Sequence, residues 1–580
     1  MISNFKIFFD LINKKLKKDF FINVLGSFSV MFFEIFSLAL IFPAIGFLIG
    51  EDISESNPFM KTDFAKFIFI TFRDLDLKIL IIYFLLFFGF MYLTKVFITL
   101  LFGWLNSRFA YNVRSYLAIR INQLYINQPF SFHVSNNSSK IIHNLTQEIN
   151  VIAQGCNSLL IFITEIAVLL GLVTFFFIYQ PFLTIILFAI LLPALLVFRQ
   201  LKKLVAKLSL IRQKHDRRSI FLLSQIFSGI KELAIVNKSK IFSDKFEFNI
   251  KKSSMANSVN SFIAHVPRNA LELFLIIGII IICIFLPFDE TNFKKEIIKI
   301  MAAFAVASFR IMPAMTRIVV AVNVMSFMFP VLNSFNTLYK NLKKNEKKQK
   351  FRKKIDFENI NISRLSFRYE KKEIFKSLSI KIKKNEKLGI IGESGSGKTT
   401  LINIFLGLLK PEKGSITLTD KHGKNISNIE DLKMSHVPQE VFMFDDTLIN
   451  NICIPGNNKI DYKLLSRIIK QADLTNVIKK FPKGLKSKMG ERGSKISGGQ
   501  KQRIGIARAI YFSPTVLIFD EPTSALDKEN EKRIISDLYK LSSKNSIIIV
   551  THKLSILENC NKIFEIGEGK IFEKSFNDFY

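Results

Sequence analysis

At 580 residues the chain is too long for a single domain, and with 49% hydrophobic and 13% aromatic content it is too apolar for an ordinary water-soluble protein. A formal net charge of +34 raises the question of nucleic acid, but the lysines are spread along the chain rather than gathered in one stripe, so we expect no nucleic-acid partner. Cys156, Cys283, Cys453 and Cys560 are scattered without paired-ligand spacing, which excludes a disulfide framework and a cysteine zinc site.

In chain order, Lys14, Lys15, Lys17 and Lys18 precede a first apolar stretch near 20–50, too long for a signal peptide and without a small-residue cleavage site, so an uncleaved span is expected. Further apolar stretches fall near 79–103, 156–179, 182–198, 269–287 and 300–333, each approaching or exceeding the roughly twenty residues a helix needs to cross hydrocarbon. Six transmembrane helices are therefore predicted. Gln180 and Pro181 fit a tight turn between the third and fourth. The connections 104–155 and 199–265 carry many Lys and Arg and read as helices continued past the cytoplasmic surface, whereas 51–78 has a slight acidic excess that suits the outer side. Within 51–78, DFAKFIFITF at 63–72 is too short to span and fits an interfacial helix or an ordinary packed one.

Ionisable groups in these stretches are costly and need a reason. Arg310 and Arg317 are seven residues apart and share a face of the sixth span; with Lys95 and Arg268 toward the cytoplasmic side they describe a basic cavity suited to an anionic headgroup. The same bases fit equally well as partners of Glu34, Glu165 or Glu272 that hold the bundle together. After the spans, a Lys-dominated solvated linker at 341–355 separates a membrane domain, 1–340, from a second domain, 356–580.

The second domain carries the chemistry. Gly392, Glu393, Ser394, Gly395, Ser396, Gly397, Lys398, Thr399 and Thr400 form a phosphate loop: the glycines let backbone N–H groups wrap phosphates, Lys398 reaches the β/γ oxygens and the Thr399 hydroxyl faces Mg²⁺. The apolar run 516–519 ends in Asp520 and Glu521, a buried strand delivering one carboxylate for the metal shell and one for a water molecule.

With ISGGQKQR at 496–503 added, in this order and at these distances, the segment from about 356 onward resembles the ATP-binding cassette family. The resemblance implies ATP and Mg²⁺ as cofactors, coupled ATPase activity, Tyr369 stacked on adenine, Gln439 as the Q-loop glutamine at the metal, Glu521 as general base and His552 as the switch histidine. It also implies Asp520 at the metal through water, 524–527 as the D-loop, and Ser497, Gly498, Gly499 and Gln500 as the signature that closes on a partner's nucleotide. Ile496 stands where leucine is commoner, an apolar-for-apolar change. His436 matches no family role and is read as a surface or core residue.

The fold implied is an α-helical transmembrane domain of six spans, exporter type I, followed by an α/β phosphate-loop domain with a helical subdomain. Breaks at 128–139 and 228–233 resemble the coupling elements of such exporters, and Glu491 in MGERGSK resembles their X-loop acid. One phosphate loop and one signature imply a second copy of the chain, although a heterodimer with a paralogue is also compatible. The multi-pass chain is expected in the inner (plasma) membrane with the ATP-binding domain in the cytoplasm. The stretches 33–43, 265–272 and 307–318 further resemble bacterial lipid-linked oligosaccharide flippases, which implies a polyprenyl-diphosphate-linked oligosaccharide or related lipid as cargo. The alternatives are an exporter of peptides or small amphiphiles and a regulatory ATPase that moves nothing.

Overall fold

The computed structural model describes residues 2–39, 77–179, 181–285, 293–346, 355–369, 372–454, 459–522 and 545–579, together with Glu531, Ile535, Ser536 and Tyr539. Two expected features, the 63–72 helix and the D-loop at 524–527, lie outside the described residues. The chain separates into two compact units, one of residues 1–128 and 133–346 and the other of residues 129–132 and 347–580.

The first unit is helical throughout. A short helix α1 (Ile2–Leu11) leads into α2 (Lys14–Ala39), and α3 (Leu77–Ile126) runs for 50 residues before two short helices, α4 (Phe130–Ser135) and α5 (Ser138–His143). A π-turn at Asn144–Glu148 opens α6 (Ile149–Tyr179). Pro181 starts α7 (Pro181–Ser228), at the one helical position where a missing N–H costs nothing. Gly229 then breaks the chain before α8 (Ile230–Ile235), and α9 (Ser239–Phe285) and α10 (Phe293–Lys344) follow, the last with Pro313 and Pro330 inside it. The basic connections are thus helical for most of their length, because their apolar stripes persist beyond the hydrocarbon-length segments.

Helix α2 packs on α3 and α6, α6 on α10, and α7 on α9 and α10. Gly155 sets the α6–α10 distance: a Cβ there would lie 2.1 Å from the Met328 sulfur. Beyond the apolar contacts, buried polar groups tie the same helices. The Asn144 amide donates to the Tyr125 hydroxyl at 2.9 Å, and Gln213 donates to Glu148 at 3.0 Å. Four helices among the described residues, covering Lys14–Ser37, Leu85–Ile126, Ser138–Phe175 and Arg310–Lys344, are long and apolar enough to cross a membrane. The stretch 182–198 runs within α7 and the described part of 269–287 ends α9, and most of their side chains lie outside the described residues.

The second unit is α/β. Strands β1 (Asn359–Tyr369), β2 (Lys372–Lys383), β4 (Lys413–Thr419) and β5 (Asn425–Asn428) make an antiparallel sheet in the order β2-β1-β4-β5. A six-stranded sheet, β10-β9-β3-β8-β7-β6, is built from β3 (Lys387–Gly392), β6 (Met434–Val437), β7 (Val516–Asp520), β8 (Ser546–Val550), β9 (Lys562–Gly567) and β10 (Lys570–Lys574). All its pairings are parallel except the β10–β9 edge.

Buried on both faces, the central strands read as continuous apolar runs. Val516, Ile518, Ile548 and Val550 face the first core, shared with α11 (Lys398–Phe405) and the antiparallel sheet. Leu517, Phe519, Ile547 and Ile549 face the second, shared with α12 (Leu448–Cys453), α13 (Tyr462–Gln471), α14 (Thr475–Lys479) and α15 (Gly498–Tyr511). Each strand therefore pins a different subdomain with alternate side chains, and its C-terminal end is left to carry polar groups.

Candidate nucleotide site and membrane charge cluster

The phosphate loop joins the end of β3 to the start of α11. Gly397 has φ +106, and a Cβ there would stand 2.8 Å from Ile374, so both conformation and space require glycine. The Lys398 ammonium folds back on the loop, donating to the Gly392 carbonyl at 2.7 Å and the Glu393 carbonyl at 2.8 Å. Thr399 is exposed beside it, whereas the Thr400 side chain is buried toward the core. A helix N-terminus preceded by left-handed glycines is an anion site by construction, since its unpaired N–H groups and its dipole point the same way.

At the end of β7, Asp520 pairs in register with Val550, and the Glu521 N–H donates to the Val550 carbonyl at 2.8 Å. Glu521 takes φ +47, a strained backbone for a side chain of its size. That carboxylate receives a hydrogen bond from the Gln439 amide at 3.1 Å on one oxygen, and lies 3.1 Å from His552 Nδ1 on the other. The structure thus brings together three residues that are far apart in sequence. Burial, reinforced by the neighbouring Glu521 carboxylate and only partly relieved by Lys398, pushes the Asp520 carboxyl up to about 6. A hydroxyl, an amide oxygen and a carboxylate, from Thr399, Gln439 and Asp520, are the hard oxygen donors Mg²⁺ takes, and a cation beside Asp520 would bring its carboxyl back down.

Tyr369 ends β1, stands edge-on to Phe367 with ring centroids 5.0 Å apart, and is 45% exposed, leaving a face for a planar ligand. In the signature, the Ser497 hydroxyl caps α15 and Gln500 returns the bond to the Ser497 N–H at 3.1 Å, so the first turn is preorganised with its N–H groups outward. Among the described residues, no hydrogen bond joins Ser497 or Gln500 to the phosphate loop of the same chain. His436 lies on β6 with its Nε2 buried and, among the described residues, without a hydrogen-bond partner, and burial lowers it to about 4. Asn451 and Arg508, which no motif singled out, form a buried polar junction behind the signature helix, visible only once α12 and α15 are packed.

In the helical unit the expected bases are paired. Glu34, 1% exposed, receives Lys95 at 2.8 Å and also forms an ion pair with Arg310. Arg317 holds Glu165 through two bonds of 2.5 and 3.2 Å. Lys95 also lies over the Tyr92 ring at 4.7 Å. Three cations share two carboxylates, which leaves the cluster one positive charge in excess. The side chain of Arg268 lies outside the described residues.

A helical unit with membrane-length apolar helices, followed by a phosphate-loop domain with a capped signature helix, is the architecture of an ATP-binding cassette exporter. Residues 375–524 match the family described as "ABC transporter", and residues 55–286 match "ABC transporter transmembrane region". The chain therefore belongs to the ABC transporter family.

Among curated proteins, it is 36% identical over 217 residues to an "ATP-dependent lipid A-core flippase" of Francisella novicida, covering 37% of this chain and 36% of that one. A protein of the same name from Desulfotalea psychrophila is 34% identical over 230 residues, 39% of each chain. These matches span under two fifths of the relatives' length. A solved structure, that of a bacterial Atm1-family ABC exporter with ATP bound, superposes with a TM-score of 0.76 at 16% identity, covering 98% of this chain and 96% of that one. It shares the fold.

Proposed function

We propose that the protein is an ATP-driven flippase of the inner membrane that moves an anionic amphiphilic lipid from the inner to the outer leaflet. The observation that carries the ATPase half is the juxtaposition of Gln439, Glu521 and His552 at the strand ends beside the phosphate loop. Glu521 would draw the proton from an attacking water, with Gln439 and His552 holding the carboxylate in place; Lys398 and the N-terminus of α11 would receive the phosphates and Tyr369 the adenine. Mg²⁺, held by Thr399, Gln439 and Asp520, would neutralise developing phosphate charge.

Two copies are required in this reading, because the signature of one chain serves the nucleotide bound by the phosphate loop of its partner. A second observation favours the same assembly. Trp104, Tyr111, Ile119 and Ile126 form an exposed stripe on α3, and Ile241, Phe248, Met255 and Phe262 form one on α9. In this reading both lie outside the spans expected at 79–103 and 269–287, and both are about 32 Å long at 1.5 Å per residue. Apolar stripes in water demand a cover, and each matches the other in length and period. We assign the domains to 1–340, linker 341–355 and 356–580, with six spans and the nucleotide domain in the cytoplasm.

For the cargo, the one-charge excess around Glu34 and Glu165 favours a phosphate or pyrophosphate headgroup, which would exchange with the carboxylates for Arg310 and Arg317 while Lys95 and Arg268 guide it inward. Relatives named for lipid A-core support a lipid; a polyprenyl-diphosphate-linked oligosaccharide is the finer proposal. The test is ATP turnover of the purified protein in proteoliposomes against a panel of lipid A, polyprenyl-diphosphate lipids, neutral lipids and amphiphilic peptides. Stimulation by phosphorylated lipids that is lost in Arg310→Ala/Arg317→Ala supports the proposal, whereas stimulation by peptides alone would make the protein a peptide exporter.

A further inference from the structure

We infer that Arg508 is a positioning residue that fixes the signature helix, and with it Ser497 and Gln500, to the chain segment leaving Gln439. The inference rests on the ATP-hydrolysing reading above. Arg508 lies ten residues into α15 and uses three donor nitrogens on that segment and on α12, the helix that follows it. Its Nε donates to the Asn451 carbonyl at 2.8 Å, one terminal nitrogen to the Phe442 carbonyl at 3.0 Å, and the other to the Asn451 side-chain oxygen at 3.3 Å.

Asn451, fully buried, completes the junction. It accepts the Phe444 N–H at 3.0 Å and donates to the carbonyls of Phe444 at 3.0 Å and Thr447 at 3.1 Å. A non-helical stretch of backbone, 442–447, thereby gains side-chain partners at Phe442, Phe444 and Thr447 in addition to its backbone bonds at Phe444, Asp446 and Thr447.

Two further ties run between the same partners. Gly505 lets α15 approach so closely that a Cβ would lie 2.7 Å from Val441, two residues after Gln439. At the N-terminal end of α15, Lys501 donates to the Arg492 carbonyl at 2.8 Å, and a Cβ on the adjacent Gly493 would meet Met443 at 2.9 Å. The signature helix, the loop before it and the segment 441–447 are thus braced as one body. Gln439, on the far side of its Glu440 neighbour, is bonded to Glu521 on the central sheet. A movement of this body relative to the sheet then shifts the signature serine and the Gln439 amide together. A planar guanidinium, with its donors in a fixed fork, suits three acceptors in different directions; an ammonium cannot reach all of them at once.

The test uses the full chain in nanodiscs and the variants Arg508→Met and Arg508→Lys, with four readouts: kcat and KM for ATP, equilibrium ATP binding, thermal midpoint, and hydrogen exchange of the 442–447 amides. Misplacement of catalytic groups is expected to lower kcat about tenfold or more in Arg508→Met, with partial recovery in Arg508→Lys, while ATP affinity stays within about twofold because the phosphate loop is untouched. Exchange at 442–447 should quicken in Arg508→Met while strand β7 stays protected. Wild-type kcat in Arg508→Met would overturn the inference, as would kcat, ATP affinity and thermal midpoint falling together to the same extent in both variants. If Arg508→Met does not accumulate folded, Lys501→Met carries the same criteria with a smaller loss of kcat. Absence of ATP turnover in the wild type would instead sink the proposed function, and the exchange readout would still decide the role of Arg508.

Discussion

Glu521 is the residue on which the hydrolytic proposal turns, and its geometry is unusual for a structural carboxylate. It sits in left-handed backbone, on a strand end, with one oxygen bonded to an amide and the other beside an imidazole. Backbone strain at such a position persists only where the surroundings over-determine it, and here the sheet bond to Val550 and the two side-chain partners do so. Replacement by glutamine keeps the shape and the acceptor for Gln439 but removes the base. Phosphate release by Glu521→Gln is expected to fall by about 10²-fold or more while ATP binding survives. Full release in that variant would remove the assignment of the base.

At the scale of elements, two packings make definite predictions. His436 on β6 has a neutral, buried ring held near 4, against an ordinary 6.5 in the unfolded chain. Because the folded value is the lower one, unfolding takes up a proton once the pH drops below 6.5. The stabilising difference is therefore complete above that pH and is lost as pH falls from 6.5 toward 4, by up to about 3 kcal/mol. In acid unfolding monitored by circular dichroism, His436→Met should flatten this part of the pH–stability curve; an unchanged slope would mean other groups dominate it. In the helical unit, Gly155 faces Met328 with no room for a side chain. Gly155→Val should overpack the α6–α10 contact, at a cost of about 1–3 kcal/mol and a lower thermal midpoint, and Met328→Ala in the same chain should recover part of the loss. Additive losses in the double variant would show that the two residues do not compete for this space.

For the molecule as a whole, the proposed second copy is the assumption that makes each nucleotide site complete. Cysteines placed at Tyr111 and Phe248, one on each exposed stripe, are expected to cross-link between copies in membranes. Mixing Glu521→Gln chains with wild-type chains should depress turnover more than dilution alone, because two sites that close together make one defective site stall the intact one beside it. A monomer in detergent with full turnover would refute the two-copy arrangement. The charge cluster belongs to this scale too, since Glu34, Lys95, Arg310, Glu165 and Arg317 come from α2, α3, α10 and α6. Loss of Arg310 and Arg317 would leave Glu165 unpaired and Glu34 with Lys95 alone, so a fall in lipid movement needs the accompanying thermal midpoint to separate cargo binding from bundle integrity.

The phosphate loop, the Asp520–Glu521 strand and the signature were legible in sequence because each is a short contiguous run whose chemistry is carried by neighbours along the chain. The apolar stretches were legible for the same reason, as was the helical character of the long basic connections, where the amphipathic stripe simply continues. Tertiary structure alone decided which bases meet which acids: Lys95 and Arg310 lie on different helices more than two hundred residues apart, and no spacing rule selects Glu34 for both over Glu272. The brace of Asn451 and Arg508 was equally invisible, because its bonds satisfy an irregular backbone segment that exists only after α12 and α15 have packed. Local physics writes a chain's periodic and contiguous features into its sequence, whereas pairings between distant polar groups are fixed when burial removes water and leaves each group one partner to take.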